Sequence, residues 1–106
     1  MSDFSLKSYV TDHKTIHLVG IGGVSMSALA ELLLHLGAKV TGSDRTETDV
    51  TDKLAKLGAS ITYAHLPENV DSADLVIRTA AVHDDNPEIA HARELGIPVM
   101  ERAQAW

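Results

Sequence analysis

The sequence predicts a doubly wound α/β domain, Rossmann-like, with a five-stranded parallel sheet in the order 3-2-1-4-5. Three observations lead there. The apolar run Ile16-His17-Leu18-Val19 enters a glycine turn, Gly20-Ile21-Gly22-Gly23-Val24-Ser25-Met26-Ser27, which opens a long apolar helix pattern from Met26 to Leu36. One phrase then recurs: His35-Leu36-Gly37-Ala38-Lys39-Val40, Lys56-Leu57-Gly58-Ala59-Ser60-Ile61 and Glu94-Leu95-Gly96-Ile97-Pro98-Val99. Each is a helix end, a glycine stop and a strand start, so helices and strands alternate, as in a parallel sheet with right-handed crossovers. The phrases keep no fixed period, which argues against a solenoid.

Taken in order, residues 1–13 are polar and irregular and read as a loosely held lead-in. Thr15 to Gly20 reads as a buried first strand, because its apolar residues do not alternate cleanly with polar ones. In the first helix Leu29, Leu32, Leu33 and Leu36 stand at i, i+3, i+4, i+7, a core-facing stripe, and Ala28 and Ala30 allow close approach to the sheet. Gly37 is placed to end it in a left-handed cap. Lys39 to Asp44 is the second strand, ending in an acidic residue. The second helix runs from Thr48 to Leu57, with Val50, Leu54 and Leu57 on one face and Gly58 as its stop. Ser60 to Tyr63 is the third strand, and Ala64 to Val70 a loop. Ala73 to Ile77 leads into the fourth strand, carried toward Thr79, with Arg78 interrupting its apolar run and directed at solvent or at an anion. Asn86-Pro87-Glu88 starts a third helix, Asn as cap and Pro first, which ends at Gly96. Ile97 to Met100 is the fifth strand, and Glu101 to Trp106 opens another helix.

The 106 residues make one domain, long enough to bury a real core, and their 44% hydrophobic content fits a globular protein. With no cysteine, disulfides and thiolate chemistry are excluded. The N-terminus has no basic region followed by an apolar stretch, and no apolar segment approaches bilayer length. A cytoplasmic protein without a membrane partner is expected. The net charge of −6 argues against a nucleic-acid surface. An anionic ligand must then be held by local donors, backbone N–H groups above all. Aromatic residues at 4% leave few platforms for stacking bases.

In doubly wound sheets ligands sit beyond the carboxyl ends of the strands, where strand order reverses, here between strands one and four. Gly20 to Ser27, Asp44-Arg45, His65 and Thr79 to Asn86 all fall on that edge. Gly20, Gly22 and Ser25 form a G-x-G-x-x-G fingerprint with its third glycine changed to serine. The glycines let the backbone approach a phosphate, and the helix start supplies open donors and about half a positive charge. Asp44 follows at about the 20-residue spacing of a ribose-binding carboxylate, or it is a turn residue capping the second helix. His65 is a site residue by position, or a surface histidine; Asn86 is a cap at the site's rim. His13, His17, His35, His83 and His91 show no metal-ligand spacing, and no Ser-His-Asp or paired-carboxylate arrangement emerges. No catalytic residue and no metal ligand is expected.

The residues also resemble something more specific. Ile16 to Ala30, Val40-Thr41-Gly42-Ser43-Asp44, Leu54 to Ala59, His65 with Asn69, Thr79-Ala80-Ala81-Val82, Asp85-Asn86-Pro87-Glu88 and Gly96 to Ala103 together resemble the N-terminal domain of the Mur ligase family of peptidoglycan synthesis. The resemblance covers residues 15–106. It implies a domain that binds the UDP part of UDP-N-acetylmuramate, with Gly22, Gly23, Val24, Ser25, Met26 and Ser27 around the diphosphate. It implies that Asp44, His65, Thr79, Ala80, Ala81 and Asn86 surround the uridine and sugar. For the whole ligase it implies ATP and Mg2+: a lactyl carboxylate activated as an acyl phosphate, attacked by L-alanine and released as an amide with ADP and phosphate. The ATP-binding loop, of the G-x-x-G-K-[ST] type, and the C-terminal domain are expected outside this segment, which alone is then inactive. Three alternatives stay open: a murein tripeptide recycling ligase of the same family, the NAD-binding half of a dehydrogenase, and a ligand-free interaction domain.

Overall fold

The computed structural model describes residues 14–79, 82–83 and 85–102. The 1–13 lead-in, Ala80, Ala81 and the helix expected to run on to Trp106 lie wholly or mainly outside the described residues. The elements run β1 (Thr15–Val19), α1 (Val24–His35), β2 (Lys39–Ser43), α2 (Asp49–Leu57), β3 (Ser60–Thr62), a short 3-10 turn (Pro67–Val70), β4 (Leu75–Arg78), α3 (Pro87–Glu94) and β5 (Val99–Glu101). The sheet order is β3-β2-β1-β4-β5, and every neighbouring pair is parallel. The expected fold is therefore the observed one.

Because side chains alternate along a strand, the sheet presents two faces of different character. Ile16 and Leu18 of β1, Val40 of β2 and Leu75 and Ile77 of β4 enter one apolar cluster with Met26, Leu29, Ala30 and Leu33 of α1 and Leu54 of α2. Val19, Val70, Val76, Ile89 and Ala92 form a smaller cluster on the other face, under α3 and the 3-10 turn. A hydrogen bond of 2.8 Å between His91 and Asp71 ties α3 to the residue after that turn.

Two expected helix faces are corrected. On α1 the buried residues are Met26, Leu29, Ala30 and Leu33, while Ala28 is exposed and Leu32 and Leu36 stand 37% and 54% exposed. The helix is apolar nearly all round, so two stripes fit its period equally well, and the sheet selects the one that begins at Met26. On α2, Leu54 is buried beside Thr51, whereas Val50 and Leu57 are more than 40% exposed. Thr51 can face the core because its hydroxyl is satisfied: Thr51 Oγ1 accepts from Thr48 N at 2.8 Å and donates to Thr48 O at 2.9 Å. The helix stops are as expected, with Gly37, Gly58 and Gly96 all at positive φ. Strand ends differ by a residue or two: β1 stops at Val19, β2 at Ser43 and β3 at Thr62, while β5 begins at Val99 and runs to Glu101.

Candidate functional site

The carboxyl ends of β1 and β4 are neighbours, and the connections from them leave on opposite faces, which opens a crevice. The turn after β1 is tied to β2: Gly20 N and Ile21 N both donate to Ser43 O, at 2.8 and 3.0 Å. Gly23 N closes the turn on Gly20 O at 3.0 Å. Asp44 adds a strap. Its Oδ2 accepts from Gly22 N at 2.8 Å, and its Oδ1 accepts from Arg45 N at 2.7 Å and more weakly from Thr46 N at 3.4 Å. A Cβ on Gly22 would lie 2.7 Å from Asp44 Oδ2, so only glycine allows this contact without a shift.

The start of α1 is built differently from the other two helices. Thr48 caps α2 through a reciprocal box, and Asn86 caps α3 by accepting from Glu88 N at 2.8 Å. Helix α1 has Gly23 at its cap position, with no side-chain cap and no acidic residue in its first turn. The N–H groups of Val24, Ser25 and Met26 precede the first intrahelical bond, from Ser27 N to Gly23 O, and so have no intrahelical partner at the positive end of the helix dipole.

Beside this turn lies a cleft of about 470 Å³, lined by Gly20, Asp44, Arg45, His65, Val82 and Asn86 among others. The structure thus brings together Asp44, His65 and Asn86 from three separate connections. Gly22 to Ser27 adjoin the lining rather than form it, and within that stretch the Met26 side chain is buried in the core while Val24 is 93% exposed. Thr79 follows β4 and does not line the cleft.

Behind the cleft is a polar cluster that the sequence reading did not assemble. Glu88, the second residue of α3, is fully buried. Its Oε1 accepts from His17 Nε2 at 2.6 Å and from Asn69 Nδ2 at 3.3 Å. Its Oε2 accepts from His65 Nδ1 at 2.6 Å and from the Ser43 hydroxyl at 2.7 Å. His17 in turn meets the Thr41 hydroxyl through Nδ1 at 2.7 Å. Burial pushes the Glu88 carboxyl up, but hydrogen bonds from His17, His65 and Ser43 outweigh it and hold the group below its ordinary value. A buried carboxylate is tolerated here because donors surround it. The signal in the sequence was weak: His17, Thr41 and Ser43 are polar residues inside strands that also carry Ile16, Leu18 and Val40. Among the described residues, no group of three or more His, Cys, Asp or Glu side chains is arranged to hold a metal ion.

A family model described as Mur ligase family, catalytic domain, matches residues 15–106. A UDP-N-acetylmuramate–L-alanine ligase of Desulfatibacillum aliphaticivorans is 54% identical over 90 residues, which cover 85% of this chain and 20% of that protein. Among solved structures, the UDP-N-acetylmuramate-alanine ligase of Thermotoga maritima superposes with a TM-score of 0.81 at 47% identity, covering 86% of this chain and 21% of the other. The UDP-N-acetylmuramate:L-alanyl-gamma-D-glutamyl-meso-diaminopimelate ligase of Neisseria meningitides superposes with a TM-score of 0.79 at 26% identity, covering 86% and 29%. The chain spans about a fifth of the length of the curated relatives it matches. By sequence over residues 15–106 and by fold, the chain belongs to the Mur ligase family.

Proposed function

We propose that this chain binds the UDP part of UDP-N-acetylmuramate for a ligase that joins L-alanine to it in peptidoglycan synthesis. The observation that carries the reading is the uncapped start of α1 beside the switch-point cleft, in a chain whose relatives are named for that nucleotide sugar. The diphosphate is assigned to the backbone N–H groups of Val24, Ser25 and Met26, with Gly22, Gly23 and Ser27 shaping the turn around them. Asp44, His65, Thr79, Ala80, Ala81 and Asn86 are assigned to the surroundings of the uridine and sugar. The higher identity to the alanine ligase from Thermotoga, 47% against 26% for the tripeptide-adding enzyme, supports L-alanine as the amino acid of the whole enzyme.

ATP and Mg2+ are assigned to the whole ligase rather than to these residues. The sequence contains no Gly-Lys-Ser or Gly-Lys-Thr loop to cradle a triphosphate. Amide-bond formation is accordingly assigned outside this segment, and the segment alone is expected to turn over nothing. The test is a titration of the 15N-labelled chain with UDP-N-acetylmuramate, NADH and ATP. Amide shifts from Gly22 to Ser27 and at His65 with the UDP-sugar alone are expected. The same shifts with NADH and none with the UDP-sugar would overturn the reading.

A further inference from the structure

The Glu88 cluster has a chemical consequence for the cleft. An ionised carboxylate accepts hydrogen bonds and donates none. His65 Nδ1, 2.6 Å from Glu88 Oε2, is therefore the protonated ring nitrogen facing the interior. His65 also lines the cleft and is partly exposed, and its other nitrogen, Nε2, has no hydrogen bond to any described residue. In the neutral ring that nitrogen is a bare acceptor.

The geometry points to Glu88 as a positioning residue: it locks the Nδ1–H tautomer of His65 and thereby turns Nε2 into an acceptor for the imide N–H of a uracil base. This rests on the proposal that the cleft takes a uridine nucleotide. Within such a nucleotide the imide N–H is donor only, whereas the ribose hydroxyls both donate and accept and cannot sense which tautomer they meet. Cytosine carries a bare acceptor nitrogen at the same ring position, so a fixed acceptor on the protein discriminates against it.

The surroundings of Glu88 determine what a neutral amide in its place would do. On the Oε1 side the Asn69 amide nitrogen is held as a donor by its 2.8 Å bond to Ala64 O. On the Oε2 side both neighbours can reverse, because the Ser43 hydroxyl rotates and His65 changes tautomer. In Glu88→Gln the amide nitrogen therefore faces His65. The ring becomes an Nδ1 acceptor with Nε2–H in the cleft, where it opposes the imide N–H.

Nitrogen-15 spectra of the His65 ring in the intact chain at neutral pH read the tautomer directly, with no ligand present. Wild type is expected to show Nδ1–H with bare Nε2, and Glu88→Gln the reverse; Nε2–H or imidazolium in wild type would overturn the device whatever the cleft binds. Calorimetry with UDP, 3-methyl-UDP, 2′-deoxy-UDP and CDP then tests the ligand. Wild type is expected to lose about tenfold or more for 3-methyl-UDP and CDP but much less for 2′-deoxy-UDP. Equal affinity for UDP and 3-methyl-UDP would overturn base recognition while leaving the cleft reading intact; a selective loss for 2′-deoxy-UDP would reassign Nε2 to the ribose. No binding of any nucleotide would overturn the proposed function itself, and base recognition with it. Wild-type measurements decide these points even if Glu88→Gln folds poorly, and Ser43→Ala, which removes a Glu88 contact but leaves the tautomer, separates a general loss of packing from the specific effect.

Discussion

Asp44 and Glu88 are carboxylates 44 positions apart that both accept from the protein, yet they serve different ends. Asp44 spends its oxygens on backbone N–H groups at the mouth of the cleft and shapes the glycine turn. A methyl group on Gly22 would push that carboxylate away, so Gly22→Ala is expected to cost about 1–3 kcal/mol in urea unfolding and to move the Gly22 amide resonance. Glu88 gathers side-chain donors from four other places in the chain, and its consequence is a pH dependence. Its carboxyl is held below the ordinary 4.5, so its stabilisation is fully present above that pH and is lost as pH falls through the lower folded value. Acid unfolding of wild type and Glu88→Gln, followed by circular dichroism, should therefore differ most above about pH 4.5 and converge below it. A gap that widened on acidification would contradict the assignment.

At the scale of elements, the three helix starts differ in how they are capped. The Thr48 box stabilises α2, and Thr48→Ala is expected to lower stability by about 1 kcal/mol. Helix α1 goes without such a cap. Gly23 has the extended backbone of a cap position, and a Cβ there would stand 3.4 Å from Gly20 O, so a side chain fits. Gly23→Asp is thus expected to leave stability unchanged or raised by a few tenths of a kcal/mol while abolishing UDP binding in the same preparation. Helix stops and the Asn86 start were legible because glycine stops and Asx caps are local, but Thr48 rather than Asp44 caps α2. Buried faces were less legible. Helix α1 offers two equivalent apolar stripes, and Thr51 takes a core position only through a bond within its own cap. The Glu88 cluster was illegible for another reason: His17 and Glu88 lie 71 residues apart, and only the sheet register places Thr41 and Ser43 beside β1 on the face that α3 covers.

For the whole molecule, the alternation of helices and strands implied a parallel sheet with right-handed crossovers, and the Rossmann-like glycine turn after the first strand implied the order that the sheet has. The glycine turn and the helix start after it were legible as elements, whereas the loss of Gly22 N to Asp44 was not, because that bond joins residues 22 positions apart. That strap also fixes how a ligand arrives. It sets a full negative charge at the rim of the cleft in a protein of net charge −6, so under the proposed function a diphosphate would meet repulsion until it came within reach of the α1 amides. Stopped-flow association of UDP-N-acetylmuramate should then accelerate as sodium chloride rises from about 10 to 150 mM, over which the Debye length shrinks from about 30 to 8 Å, while dissociation changes little. A rate that fell with salt would mean that Arg45 rather than Asp44 governs the approach. Capture would then be set by encounter, and the already shaped turn would keep the ligand afterwards.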